Sequence, residues 1–218
     1  YTMRNKKIPK IKYIFDLAKK LPYFSFDDLI SVENDRIYLK ILFSRYENAG
    51  KVVRLKKGLY VAKEYLDNLE KKGRLSAYIE LISNILYDPC YLSLDYILYK
   101  HNMLTEVPVN FTLVSSRKTK TLVNILGRFF YHKIKKDLFC GFTAARKDRD
   151  FMILEATKAK ALFDFLYFRK NFLSNKESVE ELRLNLDNFT IKDKAELKSY
   201  VKIEKSKKMK IIINYLFS

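Results

Sequence analysis

The sequence has no Trp, two His, two Cys, four Pro and only five Gly in 218 residues. Each shortage removes a class of chemistry. So few glycines leave little room for a phosphate-cradling loop, and no such motif is present. Cys90 and Cys140 lie far apart with no Cys-x-x-Cys pair, and with two His a structural zinc site is not expected. Both thiols are expected to be reduced and buried. No run of about eighteen apolar residues occurs, so no membrane span is expected. Residues 1–12 are polar and basic and lack the apolar segment of a signal peptide. The expected compartment is the cytoplasm, and no cofactor is expected.

What is abundant is aromatic and positive. Hydrophobic residues make up 48% of the chain, enough for a real core, and Tyr and Phe number 16 each. The formal net charge is +18, which fits a polyanionic partner as well as a lysine-rich solvated surface. Residues 1–73 carry 17 basic and 9 acidic side chains, the densest positive balance in the chain, so nucleic-acid contact is sought there first.

Residues 10–21 place Ile11, Ile14, Phe15, Leu17, Ala18 and Leu21 on one stripe of a helix that Pro22 stops. Ser25 is read as the N-cap of a short helix carrying Phe26, Leu29 and Ile30. Asn34-Asp35 reads as a turn and cap. A third helix runs from Arg36 to Ala49 with Leu39, Leu42, Phe43 and Tyr46 inward, and Gly50 ends it. Val52–Leu55 and Leu59–Val61 flank a turn containing Gly58, the pattern of a β-hairpin. Three helices followed by a hairpin is the order of a winged helix-turn-helix, whose last helix enters the DNA major groove.

Residues 64–73 read as a polar helix or linker, and the domain boundary is drawn at Gly73. The expected organisation is a winged helix-turn-helix over 1–73 and an α+β domain over 74–218 with helices at its C-terminal end. In the second domain, helices are expected over 75–86 and from Ser93 to about 101. Strands are expected over 111–115, 129–134, 138–144 and 151–154. Further helices are expected over 156–170, 176–185, 191–203 and 206–217.

On the third helix the inward stripe leaves Arg36, Lys40 and Ser44 outward at i, i+4 spacing, with Arg45 and Asn48 beside them. Arg pairs bidentately with guanine, and Ser and Asn bond base edges or phosphates. Base contacts concentrate near the start of such a helix, which favours Arg36 and Lys40. The hairpin adds Arg54, Lys56 and Lys57 near its turn, suited to phosphate contact. An ordinary solvated helix face and a solubilising turn are the plain alternatives.

Elsewhere the chemistry is thinner. His132 alternates along a strand with no nucleophile or carboxylate beside it, and His101 is equally bare. Asp148-Arg149-Asp150 reads as a charged hairpin tip. Asp150, Glu155 and Lys158 are the residues of an alternative, Mg²⁺-dependent nuclease-like reading, but Glu155 and Lys158 are not at Glu-x-Lys spacing. No catalytic or metal site is therefore assigned. Residues 128–136 interleave basic and aromatic side chains, as an RNA-stacking strand would; a strand with one apolar and one basic face is preferred.

The run Phe43-Ser44-Arg45-Tyr46, Gly50, Val52, Arg54-Leu55 and Gly58-Leu59-Tyr60 resembles the winged helix of AbiEi-type antitoxins. Their pattern there is roughly Leu-Ser-Arg-Leu, a Gly, Arg-Leu and Gly-x-Tyr. Tyr91-Leu92-Ser93-Leu94, His101-Asn102-Met103-Leu104, Glu106, Pro108 and Phe111-Thr112-Leu113-Val114 look like the family's second block. Phe130-Tyr131-His132, Ile134, Leu138-Phe139 and Gly141 continue it, and Lys160-Ala161-Leu162, Asp164 and Leu166-Tyr167 resemble its last block. The resemblance spans residues 10–170. Phe43 and Tyr46 stand where the family has Leu, and Lys158-Ala159 replaces a frequent Pro-Glu. The resemblance implies the antitoxin of a type IV toxin–antitoxin (abortive infection) system. Such a protein represses its own promoter by binding operator repeats in double-stranded DNA. It counteracts a nucleotidyltransferase-like toxin without requiring a tight complex.

Overall fold

The computed structural model describes residues 10–148 and 150–218. Most of the opening stretch, residues 1–9, and Arg149 of the charged tripeptide lie outside the described residues. The fold is mixed α+β, helical in its N-terminal region and again at its C-terminal end. Contacts divide the chain into two units. One holds the described residues up to Tyr78 with Asn124–Leu126; the other holds Ile79–Val123 and Gly127–Ser218. Among the described residues no helix is long and apolar enough to cross a membrane.

The first unit begins with α1 (Lys10–Ala18), three residues shorter than the apolar stripe suggests. The expected second helix is a single 3-10 turn, Asp27–Leu29. Ser25 does not cap it; its N–H and hydroxyl both donate to the Asp28 carboxylate, at 2.6 and 2.7 Å. Only Leu29 of this turn is buried, so there is no apolar face to extend a helix. Helix α2 (Arg36–Asn48) follows, then strands β1 (Val52–Lys56) and β2 (Leu59–Ala62) and helix α3 (Lys63–Lys71). The core is Ile14, Ala18, Phe24, Leu29, Leu39, Leu42, Phe43, Val52 and Tyr60.

One pairing in this unit had no signal in the sequence. Phe24 and Tyr60 exchange both main-chain hydrogen bonds at 2.8 Å, forming an antiparallel bridge between the segment after α1 and strand β2. Their rings continue the contact. Phe24 lies 5.0 Å from Phe43, and Phe26 stacks on Tyr60 at 5.4 Å.

Helix α4 (Leu75–Leu86) crosses the division between Tyr78 and Ile79. The second unit then comprises β3 (Cys90–Leu92), α5 (Leu94–Lys100), β4 (Phe111–Ser115), β5 (Lys120–Asn124, all but its last residue), β6 (Gly127–Lys133), β7 (Phe142–Lys147), β8 (Phe151–Ala156) and α6 (Lys158–Arg169). It ends with α7 (Lys176–Glu180), α8 (Ile191–Glu204) and α9 (Lys207–Phe217). The six strands form one mixed sheet in the order β5-β6-β4-β3-β8-β7. β4 runs parallel to β6 and β3 parallel to β8, while β3–β4 and β7–β8 are antiparallel.

Four expectations need correction here. The strand placed over 138–144 is a 3-10 turn (Lys136–Leu138) followed by β7, because Gly141 takes a positive φ of 76° between them. The expected helix over 176–185 stops at Glu180, and Arg183 has a φ of 49°. Strand β5 was not anticipated; it has no buried residue to produce an alternating pattern. Cys90 is buried as expected, but Cys140 is only half-buried.

Helix α6 is buried on nearly all sides, from Ala159 through Leu166, because α5, α8 and α9 all pack against it. That enclosure takes in Lys160 and Asp164, neither of which is exposed at all. The Lys160 ammonium donates to Asp164 Oδ1 at 2.7 Å, and Oδ2 accepts from Tyr91 (3.0 Å) and Ser93 (2.8 Å). Ser93 thus spends its hydroxyl on Asp164 and makes no side-chain cap for α5. The rings of Phe163 and Tyr200 lie 4.8 and 5.2 Å from the ammonium. Burial pushes the Asp164 carboxyl up, against the pull of Lys160, Ser93 and Tyr91.

Candidate nucleic-acid interface

Helix α2 starts where Asp35 accepts hydrogen bonds from the N–H groups of Ile37 (2.9 Å) and Tyr38 (3.0 Å). It ends where Gly50, at φ 66°, lets the Lys51 N–H reach back to the Tyr46 carbonyl at 2.8 Å. Leu39, Leu42 and Phe43 are buried and Tyr46 is half-buried. Arg36, Lys40, Ser44, Arg45 and Asn48 are all exposed.

Exposure does not make these five equivalent. The Arg36 guanidinium is paired with the Asp27 carboxylate in the 3-10 turn. Both partners are mostly solvent-exposed, so the pair contributes at most about 1 kcal/mol. It nevertheless occupies one of the two residues, with Lys40, that the sequence favours as base readers. Other acids near the start of α2 are engaged locally: Asp28 with Ser25, Asp35 as the cap, and Glu33 with the Asp35 N–H at 3.0 Å.

Sequence reasoning missed the two apolar members of this face. Ile37 is 72% exposed and Ile41 48% exposed. The signal was available, since both fall off the stripe set by Leu39, Leu42 and Phe43. At about 100° per residue, Ile37, Ile41, Ser44 and Asn48 fall within an arc of about 60° opposite the buried stripe. Lys40 flanks that arc on one side and Arg45 on the other. Arg36 lies further round, toward the core.

Past Gly50 the chain enters the hairpin. β1 and β2 are antiparallel, with Val52 opposite Ala62, Val53 opposite Val61, Arg54 opposite Tyr60 and Lys56 opposite Leu59. The register shifts between Arg54 and Lys56, and Gly58 turns the chain at a φ of 79°. Val52 and Leu55 are buried, while Arg54 and Lys57 are exposed and Lys56 is half-buried. Burial lifts the Tyr60 phenol above its ordinary value, against the pull of Arg54. The hairpin's basic residues thus stand on a base fixed by aromatic packing.

The candidates in the second unit are committed to other partners. The Glu155 carboxylate pairs with Lys100 at 3.1 Å and Lys147 at 3.5 Å, and Lys100 also holds Glu80 at 2.9 Å. The Lys158 ammonium pairs instead with Asp193 at 2.9 Å. Among the described residues no cluster of three or more His, Cys, Asp or Glu side chains could hold a metal ion. Burial holds the His132 imidazole below its ordinary pKa, and its ring lies 5.2 Å from that of Phe168. In the 128–136 segment Phe129 and Tyr131 are fully buried, so those two rings are not available to stack on bases.

An open groove of about 630 Å³ in the second unit is lined by Asp95, Glu106, Asn110, Arg169 and Arg183 among others. Its Arg169 is already paired with Asp95 at 2.9 Å and stacked on Phe165 at 3.7 Å. Neither a scan against protein-family models nor a search of curated proteins finds a match to this chain.

Proposed function

We propose that the first unit is a winged helix-turn-helix that binds double-stranded DNA, with α2 in the major groove and the β1–β2 hairpin as the wing. The observation that carries this reading is the outer face of α2. It presents Lys40, Ser44, Arg45 and Asn48 to solvent on a helix capped at both ends, immediately before a hairpin that exposes Arg54 and Lys57. The Phe24–Tyr60 bridge adds the third strand segment that braces a wing. We further propose that the chain is an autorepressor and the antitoxin of a nucleotidyltransferase-like toxin. That part rests on the residue-by-residue resemblance to AbiEi-type antitoxins.

The test is a gel shift with the full chain and the DNA upstream of its own gene. Lys40→Ala with Arg45→Ala should weaken binding at least tenfold. Arg54→Ala and Lys57→Ala should each lower the salt slope by about one and weaken all sequences alike. No binding at low salt overturns the reading. For the antitoxin role, co-expression with a neighbouring nucleotidyltransferase-like gene should restore growth, and unchanged toxicity sinks it.

A further inference from the structure

We infer that α2 reads thymine methyl groups through Ile37 and Ile41, and that the sites it selects carry A·T pairs under those two side chains. The inference rests on the DNA-binding reading above and deepens it. Ile37 and Ile41 are among the most outward residues of α2, 72% and 48% exposed, although both are large and apolar. They sit at i, i+4 spacing and form a short apolar ridge along the helix. In the major groove the thymine C5-methyl is the apolar feature that such a ridge can cover, and no other base carries one.

The surroundings favour a nucleic acid over a protein partner. The ridge is not part of a continuous apolar stripe. Exposed Ser44 and Asn48 share its arc, and exposed cations Lys40 and Arg45 stand on either side. Cations flanking a narrow mixed centre match two phosphate strands flanking base edges. Asn48 is then placed for an adenine, through its N6 and N7, and Lys40 and Arg45 for phosphates. Arg36, paired with Asp27, has no part in base reading on this account.

The experiment uses the full chain and a duplex that it enriches from a randomised library. Each thymine is replaced in turn by deoxyuridine, which removes only the methyl, and affinity is measured by fluorescence anisotropy. Replacement at one or two positions should weaken wild-type binding about fourfold each. Ile37→Ala should abolish the penalty at one position and Ile41→Ala at the other. Lys40→Ala should weaken the thymine and uracil duplexes equally.

Both isoleucines are exposed, so neither variant threatens the fold, and the uracil arm needs no variant. A duplex insensitive to uracil everywhere overturns the inference and leaves DNA binding standing. So does a penalty that survives in both Ile variants, or binding without sequence preference. Failure to bind any duplex at low salt overturns the DNA-binding reading itself.

Discussion

The two units place their charge in opposite ways. In the first, the core is aliphatic and aromatic, and every residue of the candidate interface lies outside it. In the second, a lysine and an aspartate are fully enclosed in α6, and Glu80 is nearly so. The contrast separates two uses of a polar side chain. Lys40 and Arg45 on α2 and Arg54 and Lys57 on the hairpin are exposed and cost little to hold. Lys160 bonds Asp164, which also accepts from Tyr91 and Ser93. The pair is closed off from solvent, both side chains being fully buried.

The largest expected effect tests that closure. Lys160→Met should leave the Asp164 carboxylate buried without its cation and destabilise the chain by about 3–5 kcal/mol in chemical denaturation. Adding Asp164→Asn should restore much of the loss. A single-variant cost below about 1 kcal/mol would mean that water reaches the pair, and the contrast between the units would fail.

Gly141 comes next. A Cβ there would lie 2.1 Å from the Tyr200 hydroxyl oxygen and 2.7 Å from its Cζ, on a backbone already at φ 76°. Gly141→Ala should cost about 2–4 kcal/mol. Tyr200→Phe in the same chain should return part of it by removing the oxygen. By comparison Lys40→Ala and Arg45→Ala should move stability by no more than about 0.5 kcal/mol while changing DNA affinity, because both residues are exposed.

The smallest effect is a pH dependence at the C-terminal helices. Burial alone would lift the Asp193 carboxyl, but hydrogen bonds from Lys158 and Thr190 hold it below its ordinary value. Glu204 is likewise held down, against its burial, by Lys170 and Ser206. A carboxyl lowered in the fold binds a proton more readily in the unfolded chain. Its stabilisation is therefore complete above the ordinary carboxylate pKa and is lost as pH falls through that range to the lowered value. Thermal melts taken from neutral pH into acid should show this fall, and Asp193→Asn with Glu204→Gln should shrink it. A fall of unchanged size would assign the acid sensitivity elsewhere.

Much of the first unit could be read directly. The Asp35 cap, the inward Leu39, Leu42 and Phe43, the Gly50 stop and the Gly58 turn are local signals, and each acts within a few residues of where it is written. The Phe24–Tyr60 bridge could not be read, because a single pair joining distant segments leaves no periodicity. The short second helix was over-read, since Phe26, Leu29 and Ile30 have helical spacing but only Leu29 is buried. On the outer face of α2 the exposure of the polar residues is legible and that of the isoleucines is not, because apolar residues are assigned inward by default. In the second unit Lys160 and Asp164 look like surface charges four apart on a helix; only the helices packed around α6 make them core residues.

The bridge between Phe24 and Tyr60 has one more consequence. Its two hydrogen bonds are made entirely by main-chain atoms, and a main-chain bond does not depend on which side chain sits at the position, proline excepted. The sheet of the first unit is therefore fastened at a point that imposes no particular spelling on the chain. The rings around it can be exchanged for other bulky apolar groups while the fastening stays. An architecture secured in this way can persist while the residues that would identify it drift.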